Sequence, residues 1–275
     1  MPFSLQHKCL FIHVPRTGGT SFEKALGMDV DNQTSIPEGL NGDFEVRPKN
    51  EVKLPILIQL HHLCMKHVQL LGVLSHSLLT ESFKCAFIRN PWSKTVSEYS
   101  HYYHKYCTDF EDYVLRLEKI VSFVNENFDF DFNSNFYKKY SDLMLDVFKL
   151  GPTWWGATNE NQLNEFTEFY IKNHPFAKEL TYVDPHFFPQ HFFIYDEFGN
   201  NLVDFIGRFE NYREDAQKIL DRLGAYWRQD PDGRRIIPHL NDSTHKNYRD
   251  MYNLKTRDIV CNLFKKDIQT FDYTF

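Results

Sequence analysis

Seven consecutive residues near the amino end, Pro15-Arg16-Thr17-Gly18-Gly19-Thr20-Ser21, combine the groups that hold an oxyanion. Two glycines let the backbone curl until its N–H groups face one point. Arg16 adds a permanent forked cation, and the hydroxyls of Thr17, Thr20 and Ser21 can donate to phosphate oxygens. A helix starting directly after the glycines brings its positive end to the same place. The run is not the nucleoside-triphosphatase loop: G-x-x-x-x-G-K-[ST] needs Lys after the last glycine, where Thr20 stands. A Gly-Gly turn between strand and helix is by itself most often structural, and it is the clustering of Arg with three hydroxyls that points to an anion.

The second constellation is Arg89-Asn90-Pro91-Trp92-Ser93-Lys94-Thr95-Val96-Ser97-Glu98-Tyr99. Arg89 closes an apolar run, and Ser97 follows about two helical turns on. Both can face the crevice at strand ends where open α/β sheets bind ligands. Read alone, an Arg capping a sheet edge and a solvated Ser explain the same residues. Together the two constellations outline a ligand with two separated phosphates.

Elements must hold these residues in place. Lys8 to Val14 (KCLFIHV) reads as a strand, and Phe22, Ala25 and Leu26 have helical spacing, with Thr20 and Glu23 as a capping box. Residues 28 to 54 are rich in Asn, Asp, Gly and Pro and read as a long loop before a second strand at Leu54 to Leu60. Phe83 to Ile88 is a buried-type strand, after which Trp92 to Tyr103 continues as a helix with Pro91 near its first position. His191 to Tyr195 and Asn201 to Ile206 suggest two strands around a turn. Asn211 with Glu214 forms a second capping box, Ala216, Ile219, Leu220 and Leu223 share a face, and Gly224 closes that helix. Met251 to Lys266 reads as a terminal helix. Strands alternating with helices imply a three-layer α/β fold, a mostly parallel central sheet flanked by helices. One domain over residues 1 to 275 is expected, with an acidic, aromatic, partly helical insertion at about 106 to 180.

Composition narrows the partners. Thirty-one Lys and Arg against 37 Asp and Glu give a net charge of −6, which argues against nucleic acid and makes any anion site local. The 26 Phe and 15 Tyr predict an aromatic interior or pocket. Five widely spaced cysteines are read as reduced thiols. Met1 to His7 lacks a signal-peptide core and no run of eighteen apolar residues occurs, so a soluble cytoplasmic protein is expected, or a soluble piece lacking an anchor. His61, His62, Cys64 and His67 cluster in sequence, but their spacing fits no standard zinc site and no metal is expected. Trp92, Trp154 and Trp155 can stack on a base or sugar, or simply pack the core.

PRTGGTS followed by RNPW, Ser97 and Tyr99 resembles the sulfotransferases that use 3'-phosphoadenosine 5'-phosphosulfate (PAPS), specifically the carbohydrate O-sulfotransferase branch. The resemblance continues in His186-Phe187-Phe188-Pro189-Gln190, Val203 to Glu210, Pro238 to Ser243, and Asp267 to Phe275, leaving 28 to 54 and 106 to 180 unmatched. It implies a P-loop-like fold, with Arg16, Thr17, Gly18, Gly19, Thr20 and Ser21 on the 5'-phosphosulfate and Arg89 and Ser97 on the 3'-phosphate. Asn241 and Ser243, with cations such as Lys246, would belong to a closing loop. The product would be adenosine 3',5'-bisphosphate, and the acceptor a hydroxyl, by resemblance that of a saccharide or glycoconjugate. Family members often carry Lys at the position of Arg16 and Arg at that of Lys94; either keeps the cation, though Arg16 cannot donate a proton at neutral pH. An alcohol needs a base, and His62-Leu63-Cys64-Met65-Lys66-His67-Val68 is similar to the stretch that opens with the family's catalytic His. His62 is therefore the expected base, with His61 in reserve. A loose, charge-rich transition state would be stabilised by fixed cations and N–H groups without a metal. A P-loop-type phosphotransferase and a non-catalytic adenosine-bisphosphate-binding module are the competing readings.

Overall fold

The computed structural model describes residues 2–4, 6–26, 28, 43–46, 56–59, 62–71, 74–128, 134–148, 181–183, 185–225 and 247–275. Among these the strands are β1 (Phe3–Ser4), β2 (Cys9–Ile12), β3 (Asp43–Val46), β4 (Ile56–Gln59), β5 (Phe83–Ile88), β6 (Thr181–Val183) and β7 (Phe205–Arg208). The helices are α1 (Gly19–Ala25), α2 (Met65–Leu71), α3 (His76–Glu81), α4 (Pro91–His101), α5 (Phe110–Asn127), α6 (Ser134–Phe148), α7 (His191–Ile194), α8 (Tyr212–Leu223), α9 (Leu254–Leu263) and α10 (Lys265–Thr270).

The central sheet runs β1-β2-β5-β7, with β2, β5 and β7 parallel and β1 antiparallel at the edge. CLFI in β2 and the CAFI end of β5 are buried throughout, as parallel strands covered on both faces must be. Their alternation sends side chains to two cores. Cys9, Phe11, Cys85 and Phe87 pack with Phe22 and Ala25 of α1 and with Ala216, Ile219 and Leu220 of α8. Leu10, Ile12, Ala86 and Ile88 face the larger core, built with α2, α4, α5, α6, α7 and α9. Helices thus cover both faces of this mixed, mostly parallel sheet, because successive side chains of each strand point to opposite faces. A second sheet orders as β3-β4-β6, antiparallel then parallel.

Parallel β2 and β5 end side by side, so the turn after β2 and Arg89 after β5 emerge at the same sheet edge. Pro91 occupies the first turn of α4, and the Asn90 side chain caps it by accepting from the Trp92 and Ser93 N–H groups. α5 buries Phe110, Tyr113, Val114, Leu117, Ile120, Val121 and Val124 at helical spacing, and α6 packs beside it. Tyr103, Phe136, Tyr137, Tyr140, Phe148, Phe187 and Phe188 are buried in the same core. Trp92 is buried, its Nε1–H on the Arg257 carbonyl, so it packs the core; Trp154 and Trp155 lie outside the described residues.

Four expectations are corrected. Residues 28 to 54 include β3, not loop alone. His191–Ile194 is a helical turn, because buried Asp267 accepts the Gln190 and His191 N–H groups at 2.7 and 2.9 Å and caps it. Only a single bridge, Tyr195 to Asn201, remains of the expected strand pair, and the strand that follows is β7. Neither capping box forms: Gly18 and Asn211 make no side-chain cap, and Glu23 turns instead to His13. Leu254–Leu263 and Lys265–Thr270 are two helices, the first capped by Asn253 with Thr256.

Candidate active site

The turn after β2 is held from several sides. Arg16 and Gly18 have φ of 64° and 86°, so the backbone is left-handed on both sides of Thr17. Thr17 is fully buried and its hydroxyl donates to the Val14 carbonyl at 2.8 Å, so it braces the turn and does not offer that proton to a ligand. Tyr212 donates to the Gly18 carbonyl at 2.8 Å, and a Cβ on Gly18 would lie 2.8 Å from the same ring. A Cβ on Gly19 would lie 2.3–2.8 Å from three atoms of the His13 imidazole. Thr20 is exposed and Ser21 half-buried, both at the start of α1.

The two constellations meet. Arg16 donates from Nε and Nη2 to Ser97 Oγ at 3.3 and 3.1 Å. Arg89, 7 % exposed, donates from Nη1 to the Arg16 carbonyl at 3.2 Å and from Nε to Ser93 Oγ at 2.9 Å. Ser97 is therefore partnered by Arg16, and the hydroxyl beside Arg89 is that of Ser93. The Arg89 plane lies 4.1 Å over the Phe209 ring. Gln190 clamps its backbone in both directions, accepting from N and donating to O at 2.8 Å each. Glu210 accepts from Asn90 N at 2.7 Å. Burial, then the nearby Arg16 cation, lower Arg89 to about 10, so it stays charged at neutral pH. Two guanidinium groups crowded at one strand edge are electrostatically suited to an anion.

Beside this cation pair stands a row of imidazoles. His13 Nδ1 lies 2.5 Å from Glu23 Oε1, both buried. His62, 5 % exposed, hydrogen bonds from Nδ1 to the His13 carbonyl at 3.0 Å. A carbonyl only accepts, so Nδ1 of His62 carries a proton. His13 and His62 centroids are 4.6 Å apart, and His62 and His186 are 5.0 Å apart. His186 Nδ1 lies 3.1 Å from both oxygens of Glu98, and Lys94 donates to the His186 carbonyl at 2.7 Å. Burial alone would raise Glu98, but His186 and Lys94, then Arg16, hold it down at about 2.

His61, Asn241, Ser243 and Lys246 lie outside the described residues. His67 is a core residue: burial lowers it to about 3, and its Nε2 meets the Tyr137 hydroxyl at 3.3 Å. Among the described residues no three His, Cys, Asp or Glu side chains are placed to share a metal, and no helix is long and apolar enough to cross a membrane. A cavity of about 500 Å³ lined by Met65, Leu74, Leu79 and Lys84 opens by the amino end of β5, away from Arg89. Sequence reasoning passed over His13, Glu23, Ser93, Glu98 and Gln190. Each lies in or beside a motif already singled out, but apart from Ser93, four positions from Arg89, their pairings span 10 to 101 positions of chain.

A protein-family model described as the sulfotransferase family matches residues 3–274. No curated protein and no solved structure matches the chain.

Proposed function

The chain belongs to the sulfotransferase family, and from that premise we propose that it moves a sulfuryl group from PAPS to a hydroxyl, with a saccharide or glycoconjugate as acceptor. The observation that carries the proposal is the convergence of Arg16, Arg89, Ser93 and Ser97 at the carboxyl ends of β2 and β5, beside the buried His62 imidazole. In this reading Arg16 and the N–H groups through Ser21 hold the 5'-phosphosulfate. Arg89 and Ser97 hold the 3'-phosphate, with the Ser93 hydroxyl at hand, and Asn241 and Ser243 serve a closing loop. The same premise extends the α/β sheet to a three-layer P-loop-like fold and supports one sulfotransferase domain with the helical insertion on it.

PAPS would supply an already activated sulfuryl group whose leaving phosphate accumulates charge. Fixed guanidinium and N–H donors stabilise that charge without reorganising during the reaction. His62 Nε2 takes the acceptor proton as the acceptor oxygen closes on sulfur, with the His13 carbonyl fixing the tautomer. The test is incubation with sulfur-labelled PAPS and a panel of saccharides and lipids, with products identified by mass. A sulfated product supports the reading; a phosphorylated product, or binding with no turnover on any acceptor, overturns it.

A further inference from the structure

Where β5 leaves the sheet, side chains take over the hydrogen bonds of its backbone. The ladder of β5 with β7 ends at Ile88, opposite Arg208. One residue on, Gln190 Oε1 accepts from Arg89 N and Gln190 Nε2 donates to Arg89 O, each at 2.8 Å. A backbone N–H only donates and a carbonyl only accepts, so the pair needs both ends of a carboxamide, in one orientation. Gln190 thus does for Arg89 what a strand partner does for the residues before it. It is itself fixed: 1 % exposed, it donates its own N–H at 2.7 Å to Asp267, a fully buried side chain that also takes the N–H and Nδ1 of His191. Glu210 accepts the next N–H, that of Asn90, with its other oxygen on the Tyr273 hydroxyl.

What this grip holds is a buried cation. Arg89 gives Nε to Ser93 Oγ and Nη1 to the Arg16 carbonyl, while Nη2 has no hydrogen-bond partner among the described residues. A buried guanidinium with a nitrogen left open points to an anionic ligand. Resting on the reading in which Arg89 holds the 3'-phosphate of PAPS, we propose that Gln190 is a positioning residue for that phosphate, and so sets the preference for a 3'-phosphorylated nucleotide over one without it. Gln190 acts through Arg89 and touches no ligand. Without the carboxamide the Arg89 peptide loses both hydrogen bonds, and a small rotation there carries the guanidinium away from the place that Ser93 and Arg16 give it. The 5' end of the nucleotide keeps its own cation, because Arg16 is also tied to Ser97.

The experiment is calorimetric titration of wild type, Gln190→Met, Arg89→Met and the double variant with adenosine 3',5'-bisphosphate and adenosine 5'-phosphate. Methionine keeps the length of the side chain and removes both hydrogen bonds. Wild type should prefer the bisphosphate by at least about tenfold, and Gln190→Met by no more than about threefold, with affinity for the 5'-phosphate within about twofold of wild type. A merely structural loss would weaken both nucleotides alike. In the Arg89→Met background, Gln190→Met should change the preference no further. Should Gln190→Met not fold, Gln190→Asn takes its place, being neutral, polar and one methylene too short to reach both groups, with the same results expected. A wild-type preference in the position-190 variant, or a further loss when it is added to Arg89→Met, overturns the role of Gln190. Wild type with no preference for the bisphosphate instead overturns the reading of the 3'-phosphate site, and the proposal with it.

Discussion

Replacing Arg16 by glycine separates the two jobs of that residue. Arg16 sits at φ 64°, a left-handed conformation that costs an L side chain about 1–2 kcal/mol. Glycine removes that cost but adds about 0.5–1 kcal/mol of unfolded-chain entropy. The lost hydrogen bonds to Ser97, from a half-buried guanidinium, are worth about 0.5–1.5 kcal/mol together, and Arg89 gains from losing a like charge nearby. These contributions nearly cancel, so Arg16→Gly should change stability by no more than about 1 kcal/mol, or about 2–4 °C in Tm for a chain of this size. Binding behaves differently. A charge-assisted contact to phosphate contributes about 1.5–3 kcal/mol, so affinity for adenosine 3',5'-bisphosphate should fall about 10- to 150-fold. Arg16→Ala loses the same affinity but keeps the strain, so it should melt below Arg16→Gly. Thermal melts and calorimetric titration of the three proteins measure both effects. Wild-type affinity in Arg16→Gly would refute the placement of the anion at this turn, and a Tm lower by 10 °C or more would refute the strain argument, since about 1 kcal/mol moves Tm only a few degrees.

Gly19→Ala should destabilise the fold by about 1–3 kcal/mol, because the new methyl group meets the His13 ring, itself fixed between Glu23 and His62; a wild-type melt would contradict that contact. Glu98 is depressed from 4.5 to about 2, so its stabilising contribution is complete above pH 4.5 and is lost as pH falls toward about 2. Glu98→Gln should accordingly flatten the fall of the urea midpoint across that window, and parallel slopes for the two proteins would count against the His186–Glu98–Lys94 cluster. His62→Ala should lower kcat by about 100-fold or more while leaving affinity for adenosine 3',5'-bisphosphate unchanged, and an active variant would move the base elsewhere.

Local signals were legible from the residues alone. The apolar run Phe83 to Ile88, Pro91 opening α4 and Gly224 ending α8 state their structure within a few positions. Failures came where a distant partner decides. HFFIY has strand-like composition, yet Asp267, 76 positions away from His191, draws its first N–H groups into a helical turn. Thr20 and Glu23 have capping-box spacing, but a buried imidazole ten residues earlier takes the carboxylate. The cationic half of the candidate site was readable because Arg16 and Arg89 each stand at a strand end, and parallel pairing of β2 with β5 then brings them together. The Glu98–His186 pair was not: only the fold sets that carboxylate against an imidazole 88 positions on.

The central claim is that this sheet edge holds a nucleotide by two phosphates at once. Calorimetric titration of the intact protein with adenosine 3',5'-bisphosphate and with adenosine 5'-phosphate tests it most directly. The account predicts saturable one-to-one binding of the bisphosphate and affinity at least about tenfold weaker when the 3'-phosphate is missing, the loss of one charge-assisted contact. Equal affinity for the two nucleotides, or no binding of either, would contradict it.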